Sequence, residues 1–170
     1  MKKMLFVVDY QNDFVSGTLG TPEAQLLFPF MEAKIKEYRD AGHPVVFTRD
    51  THYEETYLSS QEGRNLPILH CLKDSWGWQV TDGIDTDGSL IIDKEAFGVA
   101  NIKDFVASDI EQVEIVGICT DICVVSNALI LKSQRPELPI ITDSKCCAGL
   151  TPEKHIAALE VLRSNQIEVL

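Results

Sequence analysis

Apolar residues fall in six short runs, at positions 4–8, 45–47, 90–92, 113–116, 138–141 and 167–170. None shows the in-and-out alternation of a strand with one wet face. Continuous apolar runs separated by longer segments are what a parallel sheet covered on both faces requires, so the pattern predicts a doubly wound, mostly parallel six-stranded α/β sheet with helices on both sides. The intervening helices are partly visible. Residues 29–41 carry Met31, Ile35 and Tyr38 on one face and stop at Gly42, a residue suited to a helix C-terminus. Thr151-Pro152-Glu153 reads as a cap followed by a first-turn proline.

One connection does not fit. Residues 51–89 contain no strong strand or helix signal, and a structureless segment of that length inside a domain is usually functional or disordered. Its Trp, Tyr, Leu and His content argues against disorder. We expect it to build a pocket.

The chain has 170 residues, which suits a single domain spanning residues 1–170. Its formal net charge of −11 argues against nucleic acid or an anionic membrane as a partner, since both require a basic surface. No apolar stretch reaches eighteen residues and no signal-peptide pattern is present, so a cytoplasmic protein is expected. Five cysteines without framework spacing point to reduced thiols.

The chemistry gathers at strand ends. Asp9 follows the first run, Lys94 the third, and the fourth runs into Gly117-Ile118-Cys119-Thr120-Asp121-Ile122-Cys123. Carboxyl ends of neighbouring strands converge on one crevice in such a sheet, so Asp9, Lys94 and Cys123 could meet there, although an aspartate or lysine at a strand end is otherwise commonly a solvated cap. With Thr120 or Asp121 capping the next helix, Cys123 falls in its first turn, where free N–H groups favour a thiolate. A carboxylate, a lysine and a cysteine suffice to attack a carbonyl and protonate a leaving amine. Asp50 and His52, two apart on an extended chain, can face one ion. Asp13 reads as the cap of a local turn, Cys146 and Cys147 as packing residues, and Cys71 as packing behind His70.

Four segments carry a family resemblance: Val7-Val8-Asp9-Tyr10-Gln11-Asn12-Asp13-Phe14, Phe47-Thr48-Arg49-Asp50-Thr51-His52, Lys94, and Gly117 to Val124. In this order they resemble the isochorismatase-like cysteine hydrolases, and within them the nicotinamidases. The resemblance implies a catalytic triad of Cys123 as nucleophile, Asp9 as general base and acid, and Lys94. It implies a cis peptide between Ile118 and Cys119, with an oxyanion hole from the backbone N–H groups of Cys119 and Cys123. It also implies a divalent metal, zinc with manganese or iron as alternatives, on Asp50, His52, His70 and Glu62, leaving His43 and His155 uninvolved. Phe14 would stack on the ring of a small-molecule amide. A homo-oligomer is expected by the same resemblance.

Pro67 stands where such enzymes commonly carry a second stacking aromatic, so that wall must be rebuilt, with Trp76, Trp78, Tyr53 and Tyr57 as candidates. The alternative reading is an amidase or carbamoyl hydrolase of the same fold acting on another small amide. No phosphate-cradling glycine loop supports a nucleotide binder, and the triad argues against a purely binding role. Vinyl-ether cleavage by a true isochorismatase is not expected alongside the cysteine and the metal ligands.

Overall fold

The computed structural model describes Met1–Leu170 and shows a three-layer α/β fold around one parallel sheet. Its strands are β1 (Lys3–Val8), β2 (Val45–Asp50), β3 (Leu90–Lys94), β4 (Gln112–Ile118), β5 (Ile140–Thr142), β6 (Cys147–Ala148) and β7 (Glu168–Val169). The order is β3-β2-β1-β4-β5-β7, with β6 paired to the far end of β4. β1 is therefore flanked by β2 and β4, and the winding direction reverses between β1 and β4. Ligands bind outside the carboxyl ends of strands at such a reversal.

The centre of the sheet is sealed from water. Leu5, Phe6, Val7 and Val8 in β1 and Val113, Ile115 and Val116 in β4 are all 0 % exposed. Each such side chain contributes roughly 1.5–3 kcal/mol relative to an exposed one, which explains the unbroken apolar runs. Gly117 permits the closest approach of the two strands. Its φ is +128°, and a Cβ there would lie 2.0 Å from the Val8 carbonyl oxygen.

The helices are α1 (Asn12–Val15), α2 (Pro22–Leu26), α3 (Phe28–Asp40), α4 (Glu54–Tyr57), α5 (Gln61–Asn65), α6 (Val125–Gln134) and α7 (Pro152–Ser164). α3 buries Met31, Ile35 and Tyr38 on one stripe and ends before Gly42, whose φ is +71°. In α7, Thr151 accepts a bond from the Lys154 N–H at the N-terminus and Pro152 holds the first turn, as the sequence predicts. No helix is long and apolar enough to cross a membrane.

Three features depart from the expectation. β6 is an additional strand whose two residues have no apolar run to announce them. The β3–β4 connection holds only a 3₁₀ turn at Ile102–Phe105 instead of a full crossover helix. The fifth strand starts at Ile140 rather than residue 138, because Pro139 contributes only its carbonyl, which accepts from the Val113 N–H at 3.0 Å.

Candidate functional site

β1 ends by placing Asp9 in a left-handed conformation, φ +48°, with its side chain fully buried. Asparagine and aspartate tolerate this region better than most residues. Thr48 of β2 donates its hydroxyl to Asp9 Oδ1 at 2.6 Å, fixing the carboxylate. Lys94, the last residue of β3, reaches Asp9 Oδ2 with Nζ at 2.7 Å. The same ammonium lies 3.0 Å from the Ala96 carbonyl, 3.3 Å from Asp50 Oδ1 and 3.6 Å from Cys123 Sγ. Asp9, Lys94 and Cys123 thus meet at the strand ends, as their spacing implies.

Cys123 does not sit in an ordinary helical first turn. Thr120–Val124 forms a π-helical turn ahead of α6, and the Cys119 carbonyl accepts from the N–H groups of both Ile122 and Val124 at 3.1 Å. The peptide bond between Ile118 and Cys119 is cis. The expected cap is absent: neither Thr120 nor Asp121 caps the turn, because the Thr120 hydroxyl meets His155 and Asp121 accepts from the Leu150 N–H.

The electrostatics of the buried site pull in both directions on the sulfur. Burial and then the charge of Asp9 push the Cys123 thiol well above its ordinary range, against the opposing pull of Lys94. Burial likewise raises Asp9, with Lys94 working against it. Burial would discharge Lys94, but Asp9, Cys123 and Asp50 together hold its pKa above the ordinary range. The Asp9 carboxyl group and the Cys123 sulfur thus share the Lys94 ammonium between them.

Asp50 leads into the long connection as the last residue of β2. Its Oδ2 lies 2.9 Å from His52 Nε2 and 3.7 Å from His70 Nε2, and Glu62 Oε1 is 3.7 Å from each imidazole. One ligand atom from each of these four residues fits within 4.8 Å of all the others. Two imidazole nitrogens and two carboxylates at this spacing fit a divalent ion with bonds of about 2.0–2.2 Å. His70 Nδ1 lies 2.8 Å from the Ile68 carbonyl, which leaves Nε2 aimed at the cluster. Burial opposes charge on Asp50, but hydrogen bonds from His52 and His70 and the charge of Lys94 hold its carboxyl far below the usual range. Burial and Asp50 together raise Glu62.

The first motif supplies the scaffold for this cluster. Gln11 donates to the carbonyls of Asp50 and Trp78 at 2.9 and 2.8 Å and accepts from the Asp50 N–H at 2.7 Å. Asn12 donates to the Trp76 carbonyl at 2.9 Å. Asp13 accepts from Thr18 N–H at 3.2 Å, the local turn expected of it, and also from Cys71 N–H at 2.7 Å, beside His70. Cys71 itself is fully buried, with its thiol pushed far up by burial.

A cavity of about 340 Å³ joins the two groups. Its lining includes Phe14, Asp50, Glu62, His70, Cys119 and Cys123. The sequence reading missed Leu66, Phe97, Ile122 and Leu150, which complete the apolar wall, and Asn65 at its edge. None of the four proposed replacement aromatics reaches it. Trp78 packs under the Arg49 guanidinium, 3.4 Å from its ring centre, and donates to Thr51. Tyr57 sits edge-on to His52 and His70 with centroids 4.7 and 5.2 Å away, backing the imidazoles. Trp76 is exposed and donates to Asp82, and Tyr53 lies on the surface under Lys73. His43 packs on Tyr38, away from the cavity. Cys146 and Cys147 are buried packing residues, Cys147 within β6.

Comparison with known proteins places this geometry. The model of the isochorismatase domain matches residues 3–170. The nicotinamidase of Saccharomyces cerevisiae is 27% identical, with 99% of each chain covered. The pyrazinamidase of Pyrococcus horikoshii, solved in complex with zinc, superposes with a TM-score of 0.86 at 27% identity, covering 100% of this chain and 99% of that one. The N-carbamoylsarcosine amidase of Thermoplasma acidophilum superposes at 0.83 with 28% identity, covering 99% and 95%.

Proposed function

The chain belongs to the isochorismatase family, and from that premise we propose that it is a metal-dependent cysteine amidohydrolase converting nicotinamide and water to nicotinate and ammonia. The carrying observation is Lys94 Nζ, which touches Asp9, Asp50 and Cys123 together, the last two of which line a cavity of about 340 Å³.

In this reading the substrate amide sits with its carbonyl oxygen toward the backbone N–H groups of Cys119 and Cys123. The thiol proton passes from Cys123 Sγ to Asp9 as the S–C bond forms, so no free thiolate is needed at rest. Asp9 returns that proton to the departing nitrogen, the C–N bond breaks, and ammonia leaves a thioester on Cys123. A water then gives a proton to Asp9 and adds to the thioester carbonyl, and collapse releases the acid while Asp9 reprotonates the sulfur. Lys94 keeps Asp9 ionised between steps. Backbone donors aimed at the developing oxyanion are worth roughly 3 kcal/mol each in comparable sites.

Asp50, His52, Glu62 and His70 would hold the divalent ion, with zinc favoured by the two-imidazole set. When bound, it supplies a Lewis-acidic anchor for the pyridine nitrogen or for water beside it. Phe14, with Leu66 and Phe97, encloses the ring.

The competing reading is a carbamoyl hydrolase, supported by the likeness to an N-carbamoylsarcosine amidase. No lysine or arginine lines the cavity, and Lys94 is already shared among its partners. Apart from the divalent ion that Asp50 and Glu62 would hold, the lining offers a substrate carboxylate no side-chain cation, and its Phe14, Leu66, Phe97 and Leu150 favour an uncharged ring amide. A panel of nicotinamide, pyrazinamide and N-carbamoylsarcosine, with and without chelator, separates the two. Metal-dependent ammonia release from the ring amides is expected; release only from N-carbamoylsarcosine would overturn the assignment.

A further inference from the structure

Thr120 is 0 % exposed, and its hydroxyl lies 2.8 Å from Nδ1 of His155 on the first turn of α7. Asp121, next in the chain, accepts from the Leu150 N–H at 3.0 Å. Gly149 lies between them with no room to spare: a Cβ there would be 2.8 Å from Asp121 Oδ1 and 2.8 Å from the His155 N atom. The π-helical turn carrying Cys123 has no side-chain cap of its own. Its attachment comes instead from the β6–α7 segment, whose residues Gly149 and Leu150 also line the substrate cavity.

We propose that His155 is a positioning residue for the nucleophile turn, acting through the Thr120 hydroxyl while Asp121 fastens the same turn to residues 149–150. His155 does not line the cavity, so it touches no substrate. Its partner stands between Cys119 and Cys123 in the sequence, and a shift of that turn moves the sulfur and both backbone donors together. Burial lowers the His155 pKa, with Asp121 opposing, consistent with an uncharged imidazole at this contact. The inference rests on the reading of Cys123 as nucleophile.

The test is a double-mutant cycle of Thr120→Val and His155→Ala, with Thr120→Ser as the conservative variant. Three quantities are read in the zinc-loaded protein: kcat and KM for nicotinamide, and zinc affinity. A fourth, the rate of Cys123 alkylation by iodoacetamide, is read without zinc. Each single variant is expected to lower kcat about tenfold, since small misplacements of reacting groups are costly. KM and zinc affinity should stay within about twofold. The double variant should lose no more than the worse single, as coupled partners do, and Thr120→Ser should retain activity.

Unchanged kcat, additive losses, or equal impairment of Thr120→Ser would overturn the proposal. If the wild type releases no ammonia from nicotinamide, the substrate assignment fails, and the alkylation arm still decides. A non-additive change of about threefold or more in alkylation rate is expected; identical or additive rates would contradict the positioning role.

Discussion

Asp50 and Lys94 join the two halves of the site: Asp50 Oδ1 is 3.3 Å from the Lys94 ammonium, while its Oδ2 is 2.9 Å from His52 Nε2. One carboxylate is thus shared between the proposed metal cluster and the proposed triad. Its charge also helps to raise the Cys123 thiol. Asp50→Asn should therefore act on both halves. Zinc affinity is expected to fall by about tenfold or more, measured by chelator competition. In the metal-free protein, Cys123 alkylation should become faster by about threefold or more, because a neighbouring negative charge is gone. His52→Ala should lose zinc affinity without the change in alkylation. Equal alkylation in Asp50→Asn and wild type would disconnect the two groups.

Leu66 is held at the cavity wall by its backbone: its N–H donates to the Glu62 carbonyl at 2.8 Å, and its carbonyl accepts from the Tyr57 hydroxyl at 2.8 Å. Leu66→Ala leaves that backbone in place and removes apolar contact with the ring. Steady-state kinetics should show KM for nicotinamide rising about fivefold to thirtyfold, as expected for roughly 1–2 kcal/mol of lost contact, with kcat changed by less than about threefold. A large fall in kcat with constant KM would contradict a ring-wall role.

Asp13 links the first motif to the loop carrying His70, a proposed metal ligand, and Gly77 is the residue that lets it fit. A Cβ at Gly77 would lie 2.1 Å from Asp13 Oδ2. Asp13 is buried and bonded to Cys71 N–H, so it has nowhere to move. Gly77→Ala should cost about 1–3 kcal/mol in chemical denaturation, the usual range for overpacking, and should weaken zinc binding. Full stability with unaltered zinc affinity would show that the contact is dispensable.

The sheet and the convergence of Asp9, Lys94 and Cys123 are legible in the sequence because both follow from local pattern, whereas their proposed roles come from the family resemblance. Apolar runs set the strands, and Asp9, Lys94 and the Cys119–Cys123 segment come immediately after them. The proposed metal cluster required more: His70 and Glu62 were assignable only through resemblance, since nothing local marks them. The rebuilt pocket wall was not legible, because Leu66, Phe97 and Leu150 come from three distant segments and each looks like an ordinary core residue. The same holds for Gln11, Asn12 and Asp13. Their partners lie far along the chain, so only the fold reveals that they hold the loop. The apparent cap at Thr120 misled because a buried hydroxyl was satisfied by His155, 35 residues away.

His155 should leave a pH signature in stability. Its pKa lies below 6.5 in the folded protein, chiefly through burial, with Asp121 opposing. Lys154 is its chain neighbour, and Glu23 lies across the shallow groove between α2 and α7. A histidine with a depressed folded pKa binds fewer protons folded than unfolded, so it imposes no penalty above the unfolded value and a growing one as pH falls through the window below 6.5. Denaturant midpoints of wild type should therefore decline more steeply than those of His155→Asn between neutral pH and about pH 5.5. Parallel declines would mean that His155 does not titrate with folding.

The most direct test is ammonia release from nicotinamide by zinc-loaded wild type, by the chelated protein and by Cys123→Ala, with intact-mass detection of the acylated enzyme. Turnover is expected only in the zinc-loaded wild type, with an adduct of the nicotinoyl mass on Cys123. Ammonia release that survives either the loss of Cys123 or chelation would contradict a metal-dependent cysteine amidohydrolase, and silence from folded, zinc-bound wild type would contradict nicotinamide as its substrate.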